Sequence, residues 1–186
     1  MTSSGDAAKG IYAAWRLLHG ERGAMAWFDA SITGFWRSFA AAIVAAPAFI
    51  ALVALSTLNH ENVNWPAVAA VQAVAYVMDW FAFPLLAIYA CDAMGKGDKY
   101  LRLIVAMNWA RVIESALILP GAILAGMMPQ GILGFVPIAI FLAVMAYHWF
   151  VIRVALDGAL RETLAIFLLN IGVGIATSLW ARSILF

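Results

Sequence analysis

Apolar residues run in five long blocks along the chain, at 38–58, 66–91, 101–127, 132–152 and 163–185, with short polar connections between them. A helix rising ~1.5 Å per residue needs about 20 apolar residues to cross ~30 Å of hydrocarbon, and each block reaches that length. None of them alternates with the period of a strand. Backbone groups in lipid must find partners within their own segment unless a barrel closes, so the blocks predict transmembrane helices. The expected fold class is all-α, a polytopic membrane helical bundle of five transmembrane helices over 38–186, preceded by an N-terminal cytoplasmic or interfacial segment, 1–37.

In that leading segment the period shortens. Ile11, Trp15 and Leu18 recur at i, i+4 and i+7 with Tyr12 beside them, while Lys9, Arg16 and His19 take other faces. This predicts an amphipathic helix lying in the membrane interface on Ile11, Tyr12, Trp15 and Leu18, either packing on headgroups or offering a docking surface. Gly20 and Gly23 should end it, after which Met25, Phe28, Ile32 and Phe35 renew the spacing up to the first span. The polar start, Met1 to Asp6, lacks the charged-then-apolar order of a cleavable signal, so the first span is expected to direct insertion.

The connections are brief, as at 59–65, 95–97, 129–131 and 157–158, so successive spans are expected to be antiparallel neighbours. Lys9, Arg16, Arg22, Arg37, Lys96, Lys99, Arg102, Arg153 and Arg161 fall at one end of the spans, against Arg182 at the other. The positive-inside rule then puts the N-terminus in the cytoplasm and the C-terminus outside. Alanine-rich composition points to a bacterial inner (cytoplasmic) membrane, with a periplasmic C-terminus. Trp36, Trp65, Trp149 and Trp180 lie near span ends, where amphipathic rings meet headgroups.

Composition sharpens this picture. Hydrophobic residues make up 66% of the chain and charged residues 11%, against about 45–50% and about 25% in soluble domains. A formal net charge of +1 with scattered basic residues gives no footprint for nucleic acid, so no nucleic-acid partner is expected. Cys91 is the only cysteine, which excludes an intrachain disulfide and a cysteine metal cluster. No phosphate loop, zinc spacing, nucleophile elbow or haem pair occurs, so no cofactor and no enzymatic activity are expected.

Charges inside the spans are the exception that calls for explanation. Asp79 sits ~18 Å and Arg111 ~15 Å from the cytoplasmic side, at matching depth on consecutive spans. Glu114 follows Arg111 by three positions and Asn108 precedes it by three, making one stripe, and Gln72, Tyr76 and Asp79 make a comparable one. An unpaired Asp or Arg at mid-bilayer costs at least about 2.5–3.5 kcal/mol, so the stripes should face each other. Pro84 should leave the carbonyl of Trp80 free nearby. The cluster serves either as a structural lock or as an ion, substrate or headgroup pathway.

Other positions carry less. His148 is expected to be an interfacial hydrogen-bonding histidine, since no carboxylate or second His stands three or four residues from it. Asn170 could join an interhelical hydrogen bond. Ala41, Ala45, Gly172 and Ala176 give smooth faces where helices approach, and Pro47, Pro120 and Pro137 should bend or interrupt spans.

The amphipathic lead, five closely joined spans and the Gly95-Lys96-Gly97 turn resemble bacterial members of the Yip family of five-span membrane proteins. The resemblance is one of architecture and carries no functional residue across. It implies a noncatalytic membrane-organising or adaptor role. The expected function is thus an integral membrane scaffold or accessory subunit whose partners are membrane lipids and another membrane protein or itself. The alternatives are a small transporter or channel component with a midplane Asp/Arg/Glu site, and a lipid-acting membrane enzyme using Asp79 or Glu114 with His148.

Overall fold

The computed structural model describes residues 4–58, 63–127 and 135–185. Within them the chain is all-α, with no strands among the described residues. Helix α1 covers Ser4–Leu18, a 3-10 turn covers Arg22–Trp27, and α2 covers Ile32–Ser38. Helices α3 (Ala40–Thr57), α4 (Trp65–Ala93), α5 (Tyr100–Met127), α6 (Phe135–Leu156) and α7 (Leu160–Leu185) follow. Five segments are long and apolar enough to cross a membrane, the first joining α2 and α3, so the chain is a multi-pass membrane protein. The predicted connections at 59–65 and 128–131, and the predicted start of the fourth span at 132, fall wholly or partly outside the described residues.

Local chemistry sets the helix ends. The Ser31 hydroxyl accepts from the Gly34 amide at 3.0 Å and the Asn64 side chain accepts from the Ala67 amide at 3.2 Å, each satisfying one of the orphan donors of a first turn. After α1 the chain turns through Gly20 at φ 80°, a backbone conformation that glycine adopts without a Cβ clash. α3, α4 and α5 run on through Pro47, Pro84 and Pro120 rather than being interrupted there. Within lipid, neighbouring helices and local adjustment can re-satisfy the groups that proline frees.

α5 is the hub. Every residue from Leu103 to Ala110 is buried, which an apolar helix achieves only when neighbours cover its whole circumference. α6, α3, α1 and α2 supply that cover. The expectation that sequence neighbours pair throughout does not hold: α4 touches α5 only briefly and shares its longest interface with α7. Brief loops fix the order of the spans without dictating which faces meet, and the packing faces decide the rest.

The N-terminal helix shows the same effect. Its bundle-facing stripe is Gly10, Ala13, Ala14 and Leu17, all buried against α5 and α6, while Tyr12 and Trp15 stay on the outer surface and Ile11 and Leu18 flank the contact. A Cβ on Gly10 would fall on the indole of Trp109, and the Tyr147 hydroxyl donates to the Ala14 carbonyl at 2.9 Å. The docking face is therefore not the stripe expected from hydrophobicity. Small residues permit the close approach that bulky ones would prevent. Met25 and Phe28 from the turn below join the same core.

Candidate functional site

The polar positions of α5 fan out to three different neighbours. Asn108, buried, donates through Nδ2 to the buried Ser38 hydroxyl at 2.8 Å, and Ser38 donates onward to the Phe35 carbonyl at 2.7 Å. Asn108 thus ties α5 to α2 and, among the described residues, makes no hydrogen bond to the ionised side chains. One turn along, Arg111 reaches α4. Its Nη1 lies 3.3 Å from Asp79 Oδ2 and donates to the Asp79 carbonyl at 3.0 Å, while its guanidinium carbon sits 5.0 Å above the Trp80 ring. The acceptor is the carbonyl of Asp79 itself, not the Trp80 carbonyl expected to be freed by Pro84. The guanidinium is fixed by a carboxylate, a carbonyl and an aromatic face together.

Glu114 turns away from that pair toward α6. Its Oε2 lies 3.0 Å from His148 Nε2. The ring N–H is off this line, so the contact has ion-pair reach without being an aligned hydrogen bond. On the far edge of the ring, His148 Nδ1 lies 3.3 Å from Asn170 Nδ2 on α7. With the Asn170 amide as donor, Nδ1 is the acceptor and the imidazole proton sits on Nε2, on the Glu114 side of the ring but out of line with the carboxylate.

The result is a polar path through four helices: Asp79, Arg111, Glu114, His148 and Asn170. His148 was expected at the interface and is instead buried among the spans. A search along its own helix could not find Glu114, because the carboxylate comes from the helix beside it. Depth was the available signal. Side chains lean toward the N-terminal end of their own helix, so Glu114 and His148, on oppositely directed helices, lean toward each other.

Two other predicted members lie off this path. Tyr76 donates its hydroxyl to the Ala42 carbonyl at 2.6 Å and so joins α4 to α3. Gln72 is half-buried with no hydrogen bond to a described residue. Among the described residues, no three His, Cys, Asp or Glu side chains are placed to hold a metal ion.

Asp79 differs from its partners in exposure. Its side chain is 39% exposed against 11% for Arg111, 21% for Glu114 and 6% for His148. The path is sealed at the histidine and open at the aspartate. Leu86, two turns along on the same side of α4, extends this open edge and is 47% exposed. Comparisons with protein families, with curated proteins and with solved structures find no match to the chain.

Proposed function

We propose that the protein is a noncatalytic integral membrane scaffold or accessory subunit that docks a transmembrane helix of another membrane protein along the Asp79 edge of α4. One observation carries this reading: a carboxylate deep in a span is left more than a third exposed on the outside of the bundle. A charge at that depth is costly unless covered, and a partner helix bearing a hydrogen-bond donor would cover it. The basic residues gathered at the α1 end support a cytoplasmic N-terminus in a bacterial inner membrane. The Yip-like layout belongs to the same proposal.

The test is isolation in gentle detergent followed by native mass spectrometry, for the wild type and for Leu86→Trp. Leu86 shares the open edge but makes none of the polar contacts. A stoichiometric complex that Leu86→Trp dissociates supports the proposal. A monomer from native membranes, or a complex indifferent to Leu86→Trp, refutes it.

The run of buried polar groups across α4, α5, α6 and α7 favours a second reading, a small proton-coupled transporter component working as a homodimer. Proton flux in liposomes that disappears in Glu114→Gln would support it, and absence of flux in the wild type would rule it out.

A further inference from the structure

At the α1 end of the bundle lies a cavity of about 720 Å³ that plays no part in the polar path. Its wall holds Arg22 from the 3-10 turn, Arg102 from the first turn of α5 and Arg153 from the last turn of α6, with Asp157 as its one carboxylate. Three guanidinium groups against one carboxylate leave a cationic chamber. Arg102 is held in place: its Nε donates to the Ala155 carbonyl at 2.5 Å, and its Nη2 donates to the Val154 carbonyl at 3.1 Å and to Asp157 at 2.5 Å. Those bonds satisfy carbonyls at the end of α6 and consume the only acid. Arg22 and Arg153 are exposed and make no ion pair among the described residues. Two guanidinium forks thus line the chamber with no carboxylate partner among the described residues.

The remaining wall is apolar. Met25 and Phe28 are buried in the core beneath it, and Val154 completes that side. Next in sequence to the lining residue Ala26, Trp27 is 55% exposed and packs on Tyr12 at 5.2 Å between ring centroids, an aromatic pair suited to headgroup depth. A basic pocket among helix ends, with an apolar wall that includes Met25, Phe28 and Val154, fits a phosphate that carries acyl chains better than one free in solution.

We infer that this cavity is a binding site for the phosphate headgroup of an anionic phospholipid, held by Arg22 and Arg153 with Arg102 as the fixed third wall. Guanidinium forks match phosphate oxygens in pairs, and Phe28 and Met25 would lie against the glycerol and upper chain. The inference is independent of the docking proposal for Asp79.

The experiment compares wild type with Arg22→Gln/Arg153→Gln, leaving Arg102 and the α6 end intact. Each protein is reconstituted in nanodiscs or micelles containing equal phosphatidylglycerol and phosphatidylcholine, and the retained lipid is weighed by native mass spectrometry. The wild type should retain phosphatidylglycerol over phosphatidylcholine by about tenfold, and the double variant should lose that preference while keeping its helical content. Equal retention of the two lipids by the wild type, or an unchanged preference in the double variant, overturns the site. In a parallel arm, inorganic phosphate at millimolar concentration should not raise the unfolding temperature of lipid-depleted protein. If it does so while no lipid is preferred, the source is free phosphate and the lipid assignment is wrong.

Discussion

Removal of the Glu114 and His148 side chains, singly and together, measures what the buried pair contributes. His148→Leu deletes the imidazole 3.0 Å from the carboxylate and leaves Glu114 buried with only Arg111 of its own helix for compensation. Breaking a buried pair from one side typically costs about 3–5 kcal/mol, and the neighbouring guanidinium places this case near the lower figure, about 3 kcal/mol. Glu114→Leu is milder. It leaves a neutral imidazole that keeps Asn170 and loses only its Nε2 partner, about 1–3 kcal/mol. The double variant leaves Asp79 and Arg111 as a balanced pair and Asn170 short of one acceptor, so it should cost about 1–2 kcal/mol in total. The coupling energy is then about 2–5 kcal/mol, at or above the upper end for residues in contact. Unfolding in mixed detergent micelles, followed by the fluorescence of the chain's 8 tryptophans, reads all four corners of the cycle. Additive single costs, or a double variant less stable than either single one, would show that the two groups do not stabilise each other.

Two further outcomes follow from the N-terminal end. Gly10→Leu should undock α1, since even a Cβ there meets the Trp109 ring; overpacking of this kind costs about 1–3 kcal/mol, and limited trypsin cleavage after Lys9 or Arg16 should accelerate, while Gly23→Leu, whose Cβ would meet nothing, should behave as wild type. Hydrogen bonding from Arg102, with Lys99 nearby, holds the Asp157 carboxyl below its ordinary value. Its contribution to stability is therefore present above the unfolded carboxyl value of about 3.9 and is lost as pH falls through the lower folded value. Asp157→Asn should flatten the loss of stability below about pH 4, and an unchanged acid limb would contradict the assignment.

How much of this was legible in the sequence depends on which forces act within a segment and which act between segments. Span length, the break at Gly20 and the depth of each charge are local quantities, and reasoning from them reached the Asp79–Arg111 pair across two helices. The choice of packing neighbour is not local. α4 lies along α7 rather than α5, and α1 lies on α5 through Gly10, Ala13 and Ala14, residues that add almost nothing to a hydrophobic pattern yet set how closely backbones approach. The same blindness hid His148. Judged alone near the end of its span it resembled an interfacial ring, because nothing in its own helix announces a carboxylate.

What would have found it is a rule of charge closure. Glu114 stands on the same stripe as Arg111, and once Asp79 has taken the guanidinium a second buried acid needs a cation or a proton from elsewhere. The buried candidates at comparable depth on the remaining helices were few. His148 on α6 was the one able to supply either, and Asn170 on α7 was the group able to fix its ring. The open end of the path raises the same question. Asp79 has its cation but remains partly uncovered, and Leu86 on the same side of α4 is exposed as well. A bundle that seals one end of a polar path with three helices and leaves the other on its outer surface has a geometric reason to take a partner at that surface.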